Sequence, residues 1–183
     1  GGPSLAKTTV ESFVGVDVHY YIVIDFLGFE QIVDTLGGID IYVDKRMKYD
    51  DFAQGLHIDL PPGQQVLDGK QALHYIRYRD SLGDIALVDP NRGVYGGRVQ
   101  RQQKFLHGVV KEILQPSTLL KLPRLAEQLQ GTVQTDLPFN LVARLSVLFK
   151  DMEFGQVKMA VVPGVGGNVG NASYWLADED QLR

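Results

Sequence analysis

HYYIVIDFLGFEQIVDTLGGIDIYV, residues 19–43, decides the fold class of this 183-residue chain. His19 to Ile24 is a short aromatic and β-branched run, too apolar throughout for a strand with one wet face, and it predicts a buried central strand. Asp25 stands where an N-cap belongs. Behind it Phe26, Phe29, Ile32, Val33 and Leu36 recur at spacings of three and four, which predicts a helix stopped by Gly37-Gly38. Ile39 to Val43 follows as a second strand. Strand, helix and strand with short joints predict βαβ order and an α/β domain.

Outward from that unit, residues 45–65 are polar and punctuated by Pro61-Pro62-Gly63, which predicts a hairpin or excursion rather than a linker. Asp68 caps an expected helix from Gly69 to Ile76, and a long irregular loop runs from Arg77 to about Gly97. From Arg98 a helical pattern resumes with Phe105, Leu106, Val109, Val110, Ile113 and Leu114 on one side, ending near Pro116. Helices are expected over 118–130, broken by Pro123, and over 140–149, then a buried strand over 157–162. Residues 164–171 read as a glycine-rich surface loop leading to Tyr174-Trp175.

With 44% hydrophobic and 22% charged residues, the chain is expected to fold as a single domain over residues 1–183. A net charge of −4 argues against general nucleic-acid binding. The absence of cysteine excludes disulfides, thiol nucleophiles and Cys-ligated zinc. No apolar run reaches the roughly 20 residues needed to span a bilayer, and Gly1-Gly2-Pro3-Ser4 is no signal peptide, so any export or anchoring segment is expected outside this sequence.

Residues 77–103 concentrate Arg77, Arg79, Arg92, Arg98 and Arg101, interleaved with Asp80, Asp84 and Asp89, inside an acidic protein. Arginines beside aspartates read on composition alone as surface ion pairs. The other reading is anion binding, because guanidinium groups offer forked donors that match phosphate oxygens two at a time. Arg101 and Gln102 would then open a helix whose free N–H groups add to the attraction.

The order of motifs favours the second reading. Ala72-Leu73-His74-Tyr75-Ile76-Arg77-Tyr78-Arg79-Asp80, then Tyr95-Gly96-Gly97-Arg98, then Arg101-Gln102-Gln103-Lys104-Phe105 resembles the central signature of the LytR-CpsA-Psr family. Asp25-Phe26 with residues 33–40, Leu60-Pro61-Pro62-Gly63 with Leu67-Asp68-Gly69, and Val162-Pro163-Gly164 with Ser173-Tyr174-Trp175 agree in the family's order.

That resemblance implies a three-layer α/β/α sandwich with a central mixed sheet, here expected to be incomplete on its N-terminal side. It implies an extracytoplasmic, membrane-anchored phosphotransferase that moves a glycopolymer from a polyprenyl-pyrophosphate carrier to peptidoglycan, with magnesium as cofactor. Teichoic acid or capsule attachment is the cell-wall process it implies. Carried over by position, Arg77, Arg79, Arg98, Arg101 and Gln102 would bind the pyrophosphate, and Arg77, Arg79 and Arg98 would also act in catalysis. Many members place a carboxylate just before the aromatic-Gly-Arg sequence. Val94 occupies that place here, which leaves Asp84 or Asp89 for the acid, Asp84 being preferred as metal-side or proton-accepting group. The family's acidic magnesium ligands are expected before residue 1, and weak or absent catalysis by this chain alone goes with that expectation.

His19, His57, His74 and His107 fall at no metal-ligand spacing, and the glycines of 164–170 lack the Lys-Ser/Thr end of a phosphate loop. Asp50-Asp51 reads as a solvated loop rather than a glycosidase pair. The alternative function is a non-catalytic polyprenyl-(pyro)phosphate-binding module or a pyrophosphatase; a regulator acting on DNA fits poorly with an acidic chain lacking a helix-turn-helix pattern.

Overall fold

The computed structural model describes residues 1–79, 88–89, 94–95, 97–113, 115–119, 131–138, 140–141, 144–145, 162–178 and 180. In chain order the elements are α1 (Pro3–Val14), β1 (Ile22–Ile24), α2 (Phe26–Leu36), β2 (Ile39–Val43), β3 (Met47–Asp51), β4 (Leu56–Leu60), β5 (Gly63–Leu67) and α3 (Gly69–Arg77). After these come β6 (Val88–Asp89), β7 (Val94–Tyr95), α4 (Arg98–Ile113), α5 (Pro116–Leu119), β8 (Val133–Thr135), β9 (Gly164–Val169) and β10 (Ala172–Ala177). The class is α/β, as expected.

The core follows from period-two patterning. Strands β2 and β4 alternate buried and exposed residues along their whole length, so Ile39, Ile41 and Val43 join Leu56, Ile58 and Leu60 on one side. Helices α2, α3 and α4 cover them with Val33, Leu36, Ala72, Tyr75 and Phe105. Glycine permits the close approach of α2 and α3: a Cβ on Gly69 would sit 2.7 Å from Glu30 Cα, and the Gly69 N–H donates to Asp34 Oδ1 at 2.7 Å.

Caps set the helix starts. Asp25 accepts from the Gly28 N–H at 2.7 Å, and Asp68 forms a reciprocal capping box with Gln71. The expected excursion over 45–65 is a β3–β4 hairpin, with Met47 opposite Leu60 and Asp51 opposite Leu56.

Several expectations are corrected. The strand–helix–strand order is present, yet β1 and β2 are not partners: β1 pairs antiparallel with β8 and β2 antiparallel with β5. Strand pairing among the described residues is antiparallel throughout, in five two-stranded units. Nor is β1 buried. Ile22, Val23 and Ile24 are 55, 45 and 42% exposed, because an apolar run fixes strand preference but not which neighbours cover its faces. Residues 164–171 are no surface loop: β9 and β10 form a hairpin through Gly170-Asn171, pinned where the Trp175 indole donates to the Val162 carbonyl at 2.9 Å. Leu106, placed on the buried stripe of α4, faces outward at 53% exposure.

Helix α1 was not foreseen; Pro3 at its first turn and Gly15 in a left-handed C-cap bound it. Most of 118–130, 140–149 and 157–162 lies outside the described residues. Among the described residues, no helix is long and apolar enough to cross a membrane.

Candidate anion site

Where the C-terminal end of α3 meets the first turns of α2 and α4, a cleft of about 410 Å³ opens. Four of the six expected site residues share it. Arg77 is the last residue of α3 and Arg79 lies two beyond. Arg98 opens α4, and Gln102 is one turn on, on the same face of that helix. Apolar side chains, Phe26, Phe29, Leu56, Leu73 and Ile76 among them, line the rest with Asp25, Asp51 and Gln54. The cleft therefore brings arginines, two carboxylates and apolar side chains together.

Arg77 is held on two sides. Its Nη2 donates to Gln54 Oε1 at 2.7 Å, and its guanidinium carbon lies 4.6 Å from the centroid of the Phe26 ring. Gln54 is itself fixed by Asp51, which accepts from Gln54 Nε2 at 2.8 Å and from the Gln54 backbone N–H at 3.1 Å. Gln102 reaches back from α4 to the Ile76 carbonyl at 3.4 Å.

Arg101 is placed differently from the other arginines. It is 6% exposed, absent from the cleft lining, donates to the Tyr78 carbonyl at 2.6 Å and stacks 5.1 Å from the Tyr78 ring. This ties α4 to the segment that carries Arg77 and Arg79. Asp84 lies outside the described residues, and Asp89 is described only as backbone of β6, opposite Val94.

Two neighbouring groups have shifted titrations. Burial pushes the Tyr75 phenol up to about 12, with Asp44 adding to the shift and Arg101 opposing it. Burial also lowers the His74 imidazole below its ordinary value, and Lys70 and Arg77 add to that while Glu30 and Asp68 oppose it.

Among the described residues no three His, Asp or Glu side chains gather, and the two cleft carboxylates already serve Gly28 and Gln54. They do not fit as a ready magnesium ligand set.

Sequence reasoning missed Phe26 as a stacking partner and the Asp51–Gln54 pair. The second had a signal: an aspartate three residues before a glutamine, with glycine next, between two strands is an Asx-type turn.

The match to the LytR_cpsA_psr family runs over residues 1–183. The chain belongs to that family. It is 34% identical over 166 residues to the regulatory protein MsrR of Staphylococcus aureus, covering 89% of this chain and 46% of that protein. It is 30% identical over 182 residues to the polyisoprenyl-teichoic acid–peptidoglycan teichoic acid transferase TagU of Enterococcus faecalis, covering 100% of this chain and 55% of that one. The chain thus spans about half the length of these curated relatives. Among solved structures, B. subtilis TagV superposes with a TM-score of 0.79 at 24% identity, covering 100% of this chain and 66% of that one. TagT bound to LI-WTA gives 0.70 at 19% identity, with coverage of 100% and 63%. At those identities the two structures establish the shared family fold.

Proposed function

We propose that the cleft binds the diphosphate and first isoprene units of a polyprenyl-diphosphate-linked glycopolymer, and that the family domain containing this chain transfers the glycopolymer to peptidoglycan on the extracytoplasmic face of the membrane. The observation that carries this reading is the joining of Arg77, Arg79, Arg98 and Gln102 with an apolar wall in one cleft, which suits an amphipathic anion. The teichoic acid transferase named among the relatives supports the same chemistry.

In this reading an acceptor hydroxyl attacks the phosphorus that bears the glycopolymer. A bond from that phosphorus to the acceptor oxygen forms, and the bond to the bridging oxygen breaks. Polyprenyl phosphate leaves with the electron pair, and the hydroxyl proton passes to a base, for which Asp84 is our candidate. Negative charge grows on the leaving phosphate, so fixed guanidinium groups stabilise the transition state more than the ground state.

The test is an assay with a synthetic polyprenyl-diphosphate saccharide, peptidoglycan and magnesium. Arg77→Ala and Arg98→Ala are each expected to lower turnover by about 10²-fold, the scale of losing one charge-stabilising donor, while apolar retention of the lipid persists. Lipid bound by the whole family domain containing this chain without any turnover would replace the transferase with a carrier; release of saccharide phosphate to water would make it a pyrophosphatase.

A further inference from the structure

We propose that Gln54, at the turn of the β3–β4 hairpin, is a positioning residue that aims Arg77 at the diphosphate without lowering its charge. The inference rests on the diphosphate reading above and deepens it. A guanidinium at the end of a long flexible side chain loses rotamer freedom when it binds an anion, and a partner that orders it beforehand removes part of that cost. Here the ordering comes from two directions. Phe26 covers one face of the guanidinium at 4.6 Å, and Gln54 Oε1 takes one N–H at 2.7 Å.

The choice of an amide follows from what stands behind it. Asp51 Oδ2 accepts from Gln54 Nε2 at 2.8 Å, which fixes the flip of the amide so that its oxygen, and not its nitrogen, faces Arg77. A carboxylate at position 54 would hold Arg77 equally well in geometry. It would also pair with the positive charge that the diphosphate needs, and would stand against Asp51 with no proton between them. Asp51 therefore reaches Arg77 through a neutral relay, which orders the guanidinium and leaves its charge for the ligand. Both residues belong to a turn set by the Asp51 side chain on the Gln54 N–H at 3.1 Å, so the hairpin as a whole becomes part of the anion site.

The experiment has two readouts on the purified chain. In the unliganded protein, the ¹⁵Nε heteronuclear NOE of Arg77 is expected to be high in the wild type and in Gln54→Glu, and to fall in Gln54→Leu. By titration with farnesyl diphosphate at pH 7.5, Gln54→Leu and Gln54→Glu are each expected to bind about tenfold more weakly, one charge-assisted hydrogen bond's worth. An Arg77 NOE unchanged by Gln54→Leu, or both variants binding within twofold of wild type, overturns the positioning role. A wild type that fails to bind farnesyl diphosphate overturns the diphosphate reading instead, and the NOE alone then decides whether Gln54 orders Arg77.

Discussion

At the scale of single residues, α3 packs three kinds of polar chemistry into four consecutive positions. Arg77 ends the helix where the dipole favours a cation. Tyr75, one turn's core anchor, is fully buried, and its hydroxyl has no hydrogen-bond partner among the described residues. A buried unsatisfied hydroxyl costs on the order of 1–3 kcal/mol, so Tyr75→Phe is expected to hold or raise stability by up to about 1 kcal/mol; a denaturant midpoint that drops clearly would mean the phenol is satisfied in solution. His74 carries a pH signature. Its folded-state value lies below the ordinary 6.5, so as pH falls beneath 6.5 the unfolded chain takes up the proton first. Stability is thus expected to decline from pH 6.5 downward until the folded imidazole itself protonates. His74→Gln should flatten that part of the profile, and equal slopes for variant and wild type between pH 7 and 5.5 would remove His74 as the cause.

At the scale of elements, what was legible in the sequence was what local chemistry decides. Asp25 and Asp68 capped the helices where an aspartate before an apolar stripe should, while Pro61-Pro62 marks the joint between β4 and β5 rather than the turn of the β3–β4 hairpin at residues 52–55. Asp68→Ala removes the side-chain half of the capping box, leaving the residue-68 N–H to Gln71, and is expected to cost about 1 kcal/mol, read as a lower thermal midpoint, with Asp68→Ser restoring most of it. Partner choice among strands depends on contacts distant in sequence, so β1 gave no sign that residues 133–135 would lie beside it. In β9 and β10 the glycines looked like a loop, yet Gly164 and Gly167 lie where a Cβ would run into Trp175 and Leu176 of the opposite strand. They are there for close approach. The arginine motif was readable, but its division was not: Arg98 and Gln102 reach the cleft, while Arg101 between them turns inward to Tyr78, a consequence of the helical period on α4.

At the scale of the whole molecule, a net charge of −4 and a cleft lined by three arginines make opposite electrostatic statements, and distance decides between them. Beyond a Debye length of roughly 8 Å at physiological salt the protein offers an anion no strong attraction, so recognition has to be local and has to draw on the apolar wall as well. Each buried CH₂ contributes about 0.8 kcal/mol, which makes the tail the larger source of affinity and the head group the source of selectivity. Thermal shift separates these parts. A ligand at about one hundred times its Kd stabilises by ~2.7 kcal/mol, which for a domain of this size raises Tm by about 5–10 °C. At one fixed concentration, farnesyl diphosphate is expected to give the largest rise, geranyl diphosphate and farnesol smaller ones, and inorganic pyrophosphate little. In Arg77→Ala, farnesyl diphosphate should fall toward farnesol. Equal shifts for inorganic pyrophosphate and farnesyl diphosphate would mean that Phe26, Phe29, Leu73 and Ile76 serve only the packing of α2 on α3, and that the amphipathic ligand inferred from the cleft is wrong.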